Sequence, residues 1–219
     1  KLGVTYSTLV GHYFKNYSDI NIVVFGKDNY WKMMEYLKTA QHPELTWKTK
    51  EQWLNFREKR KRYQKYTEEN FLYHMQRKRS EGYFASTLFV MFAVEEEKEA
   101  WCPWGKEVYM PLGLATVKGT VKDNKSSIVR PGCFVLENAT LLKSEQPPTQ
   151  PEFPIKQVVF HSRDYVMHAM NGETIEACGM LEKVTPKNGD PTYYRVVVGY
   201  FDAYTSDRRE EERIQVVRS

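Results

Sequence analysis

The chain predicts an α+β protein, with a mixed sheet and helices followed by a small β-rich domain. Three observations carry this. Residues 3 to 40 alternate turn or strand, helix, strand and helix; residues 48 to 79 show helical apolar spacing inside a basic run; and beyond Trp101 the texture changes to short β-type runs parted by Gly, Pro and Asn turns. The expected division is 1–100 for the first domain and 101–219 for the second.

Each element has a local reason. A glycine-led turn, Gly3-Val4-Thr5-Tyr6-Ser7, is followed by a short segment read as helical, and then by the strand Asp19-Ile20-Asn21-Ile22-Val23-Val24-Phe25-Gly26. Period-two alternation sets Asp19 and Asn21 on one face of that strand. A helix is predicted from about Asn29 to Thr39, broken by Gln41-His42-Pro43 because proline cannot continue it. Trp53, Phe56, Tyr63 and Met75 then recur at helical spacings, which predicts one long helix or a pair with an apolar seam. Tyr83 to Val94 reads as one continuous strand, closed by Glu95-Glu96-Glu97. In the second domain the strand-like runs are Ala115 to Val121, Cys133 to Leu141, Gln157 to Phe160, Glu173 to Leu181 and Tyr193 to Gly199, with Gln146-Pro147-Pro148-Thr149-Gln150-Pro151 as a stiff connector.

The order Gly, small residues, Ser7, an eleven-residue spacer and then Asp19-hydrophobic-Asn21-hydrophobic resembles the nucleotidyltransferase signature of the DNA polymerase β superfamily. It is similar in particular to an archaeal group of predicted nucleotidyltransferases. Val23-Val24-Phe25-Gly26, the basic run before Gly82 and the stretch Gly172 to Val184 extend the likeness over most of the chain. The resemblance implies a nucleotidyltransferase-like first domain in which Ser7 meets the triphosphate, Asp19 ligates Mg²⁺ and Arg77, Lys78 and Arg79 anchor phosphates. It also implies that residues precede Lys1. Two-metal phosphoryl transfer needs converging carboxylates to clamp the attacking and leaving oxygens. Here Asn21 stands at the second acid position, and Ser86 or Thr87 at the third. Tyr6 replaces a glycine where a phosphate would approach backbone N–H groups. The expectation is therefore a catalytically degraded member, a pseudoenzyme.

Charge is concentrated. Lys48 to Arg79 holds eleven Lys or Arg against four Glu, a net of +7 within a total of +4. Arg57, Arg60, Lys61, Arg62 and Lys65 are the candidate nucleic-acid contacts on the outer helical face, since clustered cations release counterions on meeting phosphates. The plainer alternative is a solvated face paired with Glu51, Glu58, Glu68 and Glu69.

Other features are weaker. No apolar run approaches the roughly 20 residues of a membrane helix, and no signal segment is present, so the expected setting is cytoplasmic with no membrane partner. Cys102, Cys133 and Cys178 are too scattered for a zinc site and read as free thiols. Trp101-Cys102-Pro103-Trp104 reads as a loop plug or as a base-stacking pair. His161 and His168 lack a third ligand, and Arg195 fits a buried structural role or a ligand contact equally. The functional expectation is a protein that binds nucleotide, RNA or a ribonucleoprotein through its basic helical face. Alternatives are an active Mg²⁺-dependent transferase acting on RNA or a small acceptor, and a structural subunit that binds an acidic protein.

Overall fold

The first sheet is built around a parallel strand pair. In the computed structural model, which describes residues 1–14, 17–60, 63–146, 150–199 and 210–218, β2 (Ile20–Phe25) runs parallel to β5 (Thr87–Val94). β1 (Leu2–Val4) pairs antiparallel with the other edge of β2, while β4 (Glu81–Phe84) and β3 (Leu45–Thr46) extend the sheet beyond β5. The order is β1-β2-β5-β4-β3. α1 (Lys27–Thr39) starts directly after Gly26, whose φ of 89° is open to glycine at no steric cost. It buries Tyr30, Met34 and Leu37, an i, i+4, i+7 stripe.

The basic region forms two short helices, α2 (Lys50–Glu58) and α3 (Glu68–Gln76). Each start is explained by its cap. Thr49 and Gln52 form a capping box, and the Thr67 side chain accepts from the Asn70 N–H. Trp53, Tyr63, Tyr66, Phe71, Leu72 and Met75 close the seam between them.

Two local expectations are corrected. Tyr83 to Val94 is a hairpin with Ala85 and Ser86 at its turn, both with positive φ (44° and 67°), the geometry of a type I′ connection. Ala-Ser lacks the usual Asn-Gly signature, so the run looks continuous in sequence. Residues 6 to 11 form successive turns, and no helix occurs between Ser7 and Ser18 among the described residues.

The second unit is a closed barrel. Its strands are β6 (Glu107–Asp123), β7 (Gly132–Ser144), β8 (Ile155–Phe160), β9 (Thr174–Pro186) and β10 (Tyr193–Val198), in the order β10-β8-β7-β6-β9, and β9 pairs again with β10 to complete the ring. β8 and β10 are parallel; the other ring pairs are antiparallel. β11 (Arg213–Val216) adds to β9. Val117, Phe134, Val158, Phe160, Leu181, Val196 and Val198 fill the interior. Two glycines permit close packing: a Cβ at Gly132 would lie 2.2 Å from the Phe160 ring, and one at Gly179 would lie 2.4 Å from the Val197 carbonyl oxygen. The centre of the expected connector, 147–149, lies outside the described residues. By contacts, the chain divides into Lys1–Ala100 and Trp101–Ser219.

Candidate functional site

Asp19 and Asn21 meet at the start of β2. The Asn21 Nδ2–H donates to Asp19 Oδ1 at 3.0 Å, and Asn21 is only 6% exposed. The preceding turn is pinned to the same strand, because the Thr5 N–H donates to the Asn21 carbonyl at 3.0 Å. Ser7 is half-buried within that turn, and its carbonyl accepts from the His12 N–H at 2.9 Å. Tyr6 holds φ at 54°, a left-handed conformation that costs a non-glycine residue about 1–2 kcal/mol. Its ring meets Phe92 edge-on at 5.8 Å.

Strand register decides which residues can join Asp19. Ile20 pairs with Phe89 and Asn21 with Val90, so the face carrying Asp19 and Asn21 continues on β5 through Leu88, Val90 and Phe92. Thr87 therefore belongs to the opposite face, and Ser86 sits in the hairpin turn. The expected third acid position is corrected accordingly: a carboxylate beside Asp19 would have to stand at Leu88 or Val90. The sequence reading also passed over Glu81. Glu81 pairs with Val90 across β4 and β5, which puts it on the Asn21 face about 10 Å away, two strand spacings. It is engaged by Lys48, whose Nζ lies 4.5 Å from the Trp53 ring centre. The signal for Glu81 is the Glu-Gly pair one residue beyond the basic run, hidden when the hairpin is read as one strand.

This donor set does not fit a pair of Mg²⁺ ions. Asn21 turns an amide hydrogen, not an oxygen, toward Asp19, and Glu81 stands apart against a lysine. Among the described residues no group of three or more His, Cys, Asp or Glu is placed to hold a metal.

The basic residues differ in exposure and contacts. Arg57 Nη2 donates to the Tyr66 carbonyl at 2.7 Å, bracing α2 against the turn that follows it, so Arg57 points into the helical pair rather than out of it. Lys78 is buried. Arg79 Nη1 donates to the Gln76 carbonyl at 2.7 Å and its guanidinium lies 4.9 Å from the Trp47 ring centre, while burial lowers its pKa from the ordinary arginine value. Arg77 lies 4.5 Å from the Tyr73 ring centre. Of the three expected phosphate anchors, Arg77 and Arg79 thus lie against rings, Arg79 also against an α3 carbonyl, and Lys78 is buried. Lys59, Arg60 and Lys65 are exposed, with Arg60 stacked 4.0 Å over Phe56. Lys61 and Arg62 lie outside the described residues.

The barrel carries a separate polar network. Arg195 Nε donates to Glu182 Oε2 at 2.7 Å inside the unit, and its guanidinium stacks 3.7 Å over the Tyr109 ring. Burial works against that charge, but Glu182 more than offsets it and holds the Arg195 pKa above its ordinary value. The Tyr109 and Tyr193 hydroxyls both donate to Glu107, at 2.8 and 2.9 Å. Burial raises both phenol pKa values, and the hydrogen bonds to Glu107 add to the effect. His168 is buried edge-on to Tyr165, and among the described residues no metal group includes it or His161. The two tryptophans of the Trp-Cys-Pro-Trp segment part company. Trp101 Nε1–H donates to the Pro131 carbonyl at 3.0 Å and packs on Cys133, Val159, Met180 and Val197, whereas Trp104 is 100% exposed. Cys102, Cys133 and Cys178 are free thiols.

No helix among the described residues is long and apolar enough to cross a membrane. The chain is similar to the uncharacterized protein MJ1086 of Methanocaldococcus jannaschii, with 32% identity over 199 residues, which is 90% of this chain. It spans about half the length of that relative, 55%. No protein-family profile matches the chain, and no solved structure matches it.

Proposed function

We propose that this chain is a nucleotidyltransferase-like protein that has lost its chemistry and binds RNA through the exposed basic edge formed by the end of α2 and the turn after it. The observation that carries the reading is the Asn21 to Asp19 hydrogen bond. It satisfies the acid internally and replaces a charged metal ligand by a donor, while Lys59, Arg60 and Lys65 remain exposed on a different part of the same unit. Supporting it, Tyr6 keeps a glycine-like backbone but places a ring over the sheet face that a nucleotide would approach. Binding without turnover is what those two departures favour.

The test is anisotropy of a labelled RNA against the full chain over a range of salt concentrations. Replacing Lys59, Arg60 and Lys65 together with Gln should weaken binding to all sequences and flatten the dependence of log K on log[salt], by up to about 0.7 per lost contact on a single strand. An unchanged slope would reduce this edge to a solvated helix face. Wild-type protein that ignores RNA at low salt but binds an acidic polypeptide would make the structural-subunit reading the better one.

A further inference from the structure

One end of the barrel gathers the starts of β6, β8 and β10 and the end of β9, as the pairs Glu107 with Pro186, Val184 with Tyr193 and Tyr194 with Ile155 require. Aromatic rings and cations alternate there. Lys156 Nζ lies 5.2 Å from the Tyr193 ring centre, Lys183 Nζ 4.7 Å from that of Phe153, and Arg195 stacks on Tyr109. The turn that carries Trp104 is tied to this end, because the Lys187 N–H donates to the Lys106 carbonyl at 2.9 Å. Lys106, Lys156 and Lys187 are exposed. Three nearby acids are held by internal donors, Glu107 by two tyrosine hydroxyls, Glu182 by Arg195 and Asp190 by the Asn188 amide, while Glu152, beside Phe153, is exposed. Trp104 is fully in solvent, an anomaly for so large an aromatic side chain three residues from a tryptophan that does pack.

We propose that this end of the barrel binds single-stranded nucleic acid, with Trp104 as a stacking platform for a base and Lys106, Lys156 and Lys187 on the flanking phosphates. A five-stranded barrel is a recurrent host for oligonucleotides, but architecture alone assigns nothing. The assignment rests on the residues. Stacking accepts any base because every base has a π face, and interleaved lysines track the backbone. Tyr109, with one face covered by Arg195 and its hydroxyl fixed on Glu107, is a rigid neighbour that loses no freedom when a second base arrives. This surface lies on the second unit and stands independently of the basic helical edge.

The experiment measures binding of a labelled short oligouridine to the full chain at low salt, in wild type, Trp104→Ala, Trp104→Phe and the Lys59, Arg60 and Lys65 triple Gln variant. Trp104→Ala should weaken binding roughly five- to 150-fold, the range for losing one stacked base, and Trp104→Phe should restore most of it. Unfolding midpoints of both Trp104 variants should equal that of wild type. Wild-type affinity in Trp104→Ala together with loss in the triple variant overturns this proposal and leaves the helical edge standing. The converse result supports it and removes the helical edge. Equal displacement of RNA by polyglutamate from wild type and Trp104→Ala, with unchanged RNA affinity in the variant, would mean the surface reads charge alone and also overturns it. A wild type that binds no RNA overturns both.

Discussion

The helical pair of the first unit and the open end of the barrel hold similar side chains, but they use them differently. Around α2 and α3 a dense run of cations is partly committed, Arg57 to a carbonyl, Arg79 to a carbonyl and a ring, Lys48 to Glu81 and Lys78 to the interior, while Lys59, Arg60 and Lys65 are exposed. At the barrel end the positive charge is sparser along the chain, yet Lys106, Lys156 and Lys187 reach solvent beside a fully exposed tryptophan. Local charge density in a sequence therefore measures how many cations are present. Availability depends on which of them the fold has already engaged.

The largest effect should come from breaking the barrel's own ion pair. Glu182→Ala leaves Arg195 buried without its carboxylate, which should lower stability by about 3–5 kcal/mol in denaturant unfolding. A loss below about 1 kcal/mol would make Arg195 an available ligand contact rather than a committed brace. The two tryptophans sharpen the contrast next. Trp101→Ala should cost about 2–3 kcal/mol, somewhat under the range for a fully buried ring, whereas Trp104→Ala should stay within about 0.5 kcal/mol of wild type. In the helical pair, Arg57→Gln removes a charged donor from the Tyr66 carbonyl and should cost about 1.5–3 kcal/mol while leaving RNA affinity unchanged. Arg60→Gln should do the reverse, weakening RNA binding with a stability change within about 0.5 kcal/mol. Parallel melts and anisotropy titrations separate the two.

The smallest effect concerns pH. Burial, followed by the charge of Arg195, lowers the His161 pKa from its ordinary value. The fold thus prefers the neutral imidazole, so its contribution is present above the unfolded pKa near 6.5 and is lost as pH falls through the lower folded value. Because solvent reaches His161, the effect is modest. Wild type should lose slightly more stability than His161→Gln on acidification from about pH 7 to 5, and identical profiles would mean that neither burial nor Arg195 disfavours the charged imidazole.

Period-two alternation was enough to put Asp19 and Asn21 together, and helical spacing was enough to bring Trp53, Tyr63 and Met75 into one seam. What sequence could not give was anything that depends on pairing between distant strands. Thr87 looked suitable until the β2 to β5 register set it on the wrong face, and Glu81 became visible only once Ala85 and Ser86 turned the chain without a glycine. The barrel's closure depends on β9 pairing with both β6 and β10, a non-local fact that no window of residues displays. Trp101 and Trp104 have the same side chain in the same short segment; only the position of Pro131 and the Cys133 cluster separates them.

The most direct measurement of the proposed loss of chemistry is calorimetric titration of Mn²⁺ into wild type, Asn21→Asp/Leu88→Asp and Asn21→Asp/Thr87→Asp, with labelled nucleotide and an RNA acceptor assayed in parallel. The account predicts negligible heat and no transfer for wild type, a metal site in the Leu88 double variant where three carboxylates share one face, and a weaker one in the Thr87 variant. Stoichiometric Mn²⁺ binding by wild type with metal-dependent incorporation of nucleotide would contradict it.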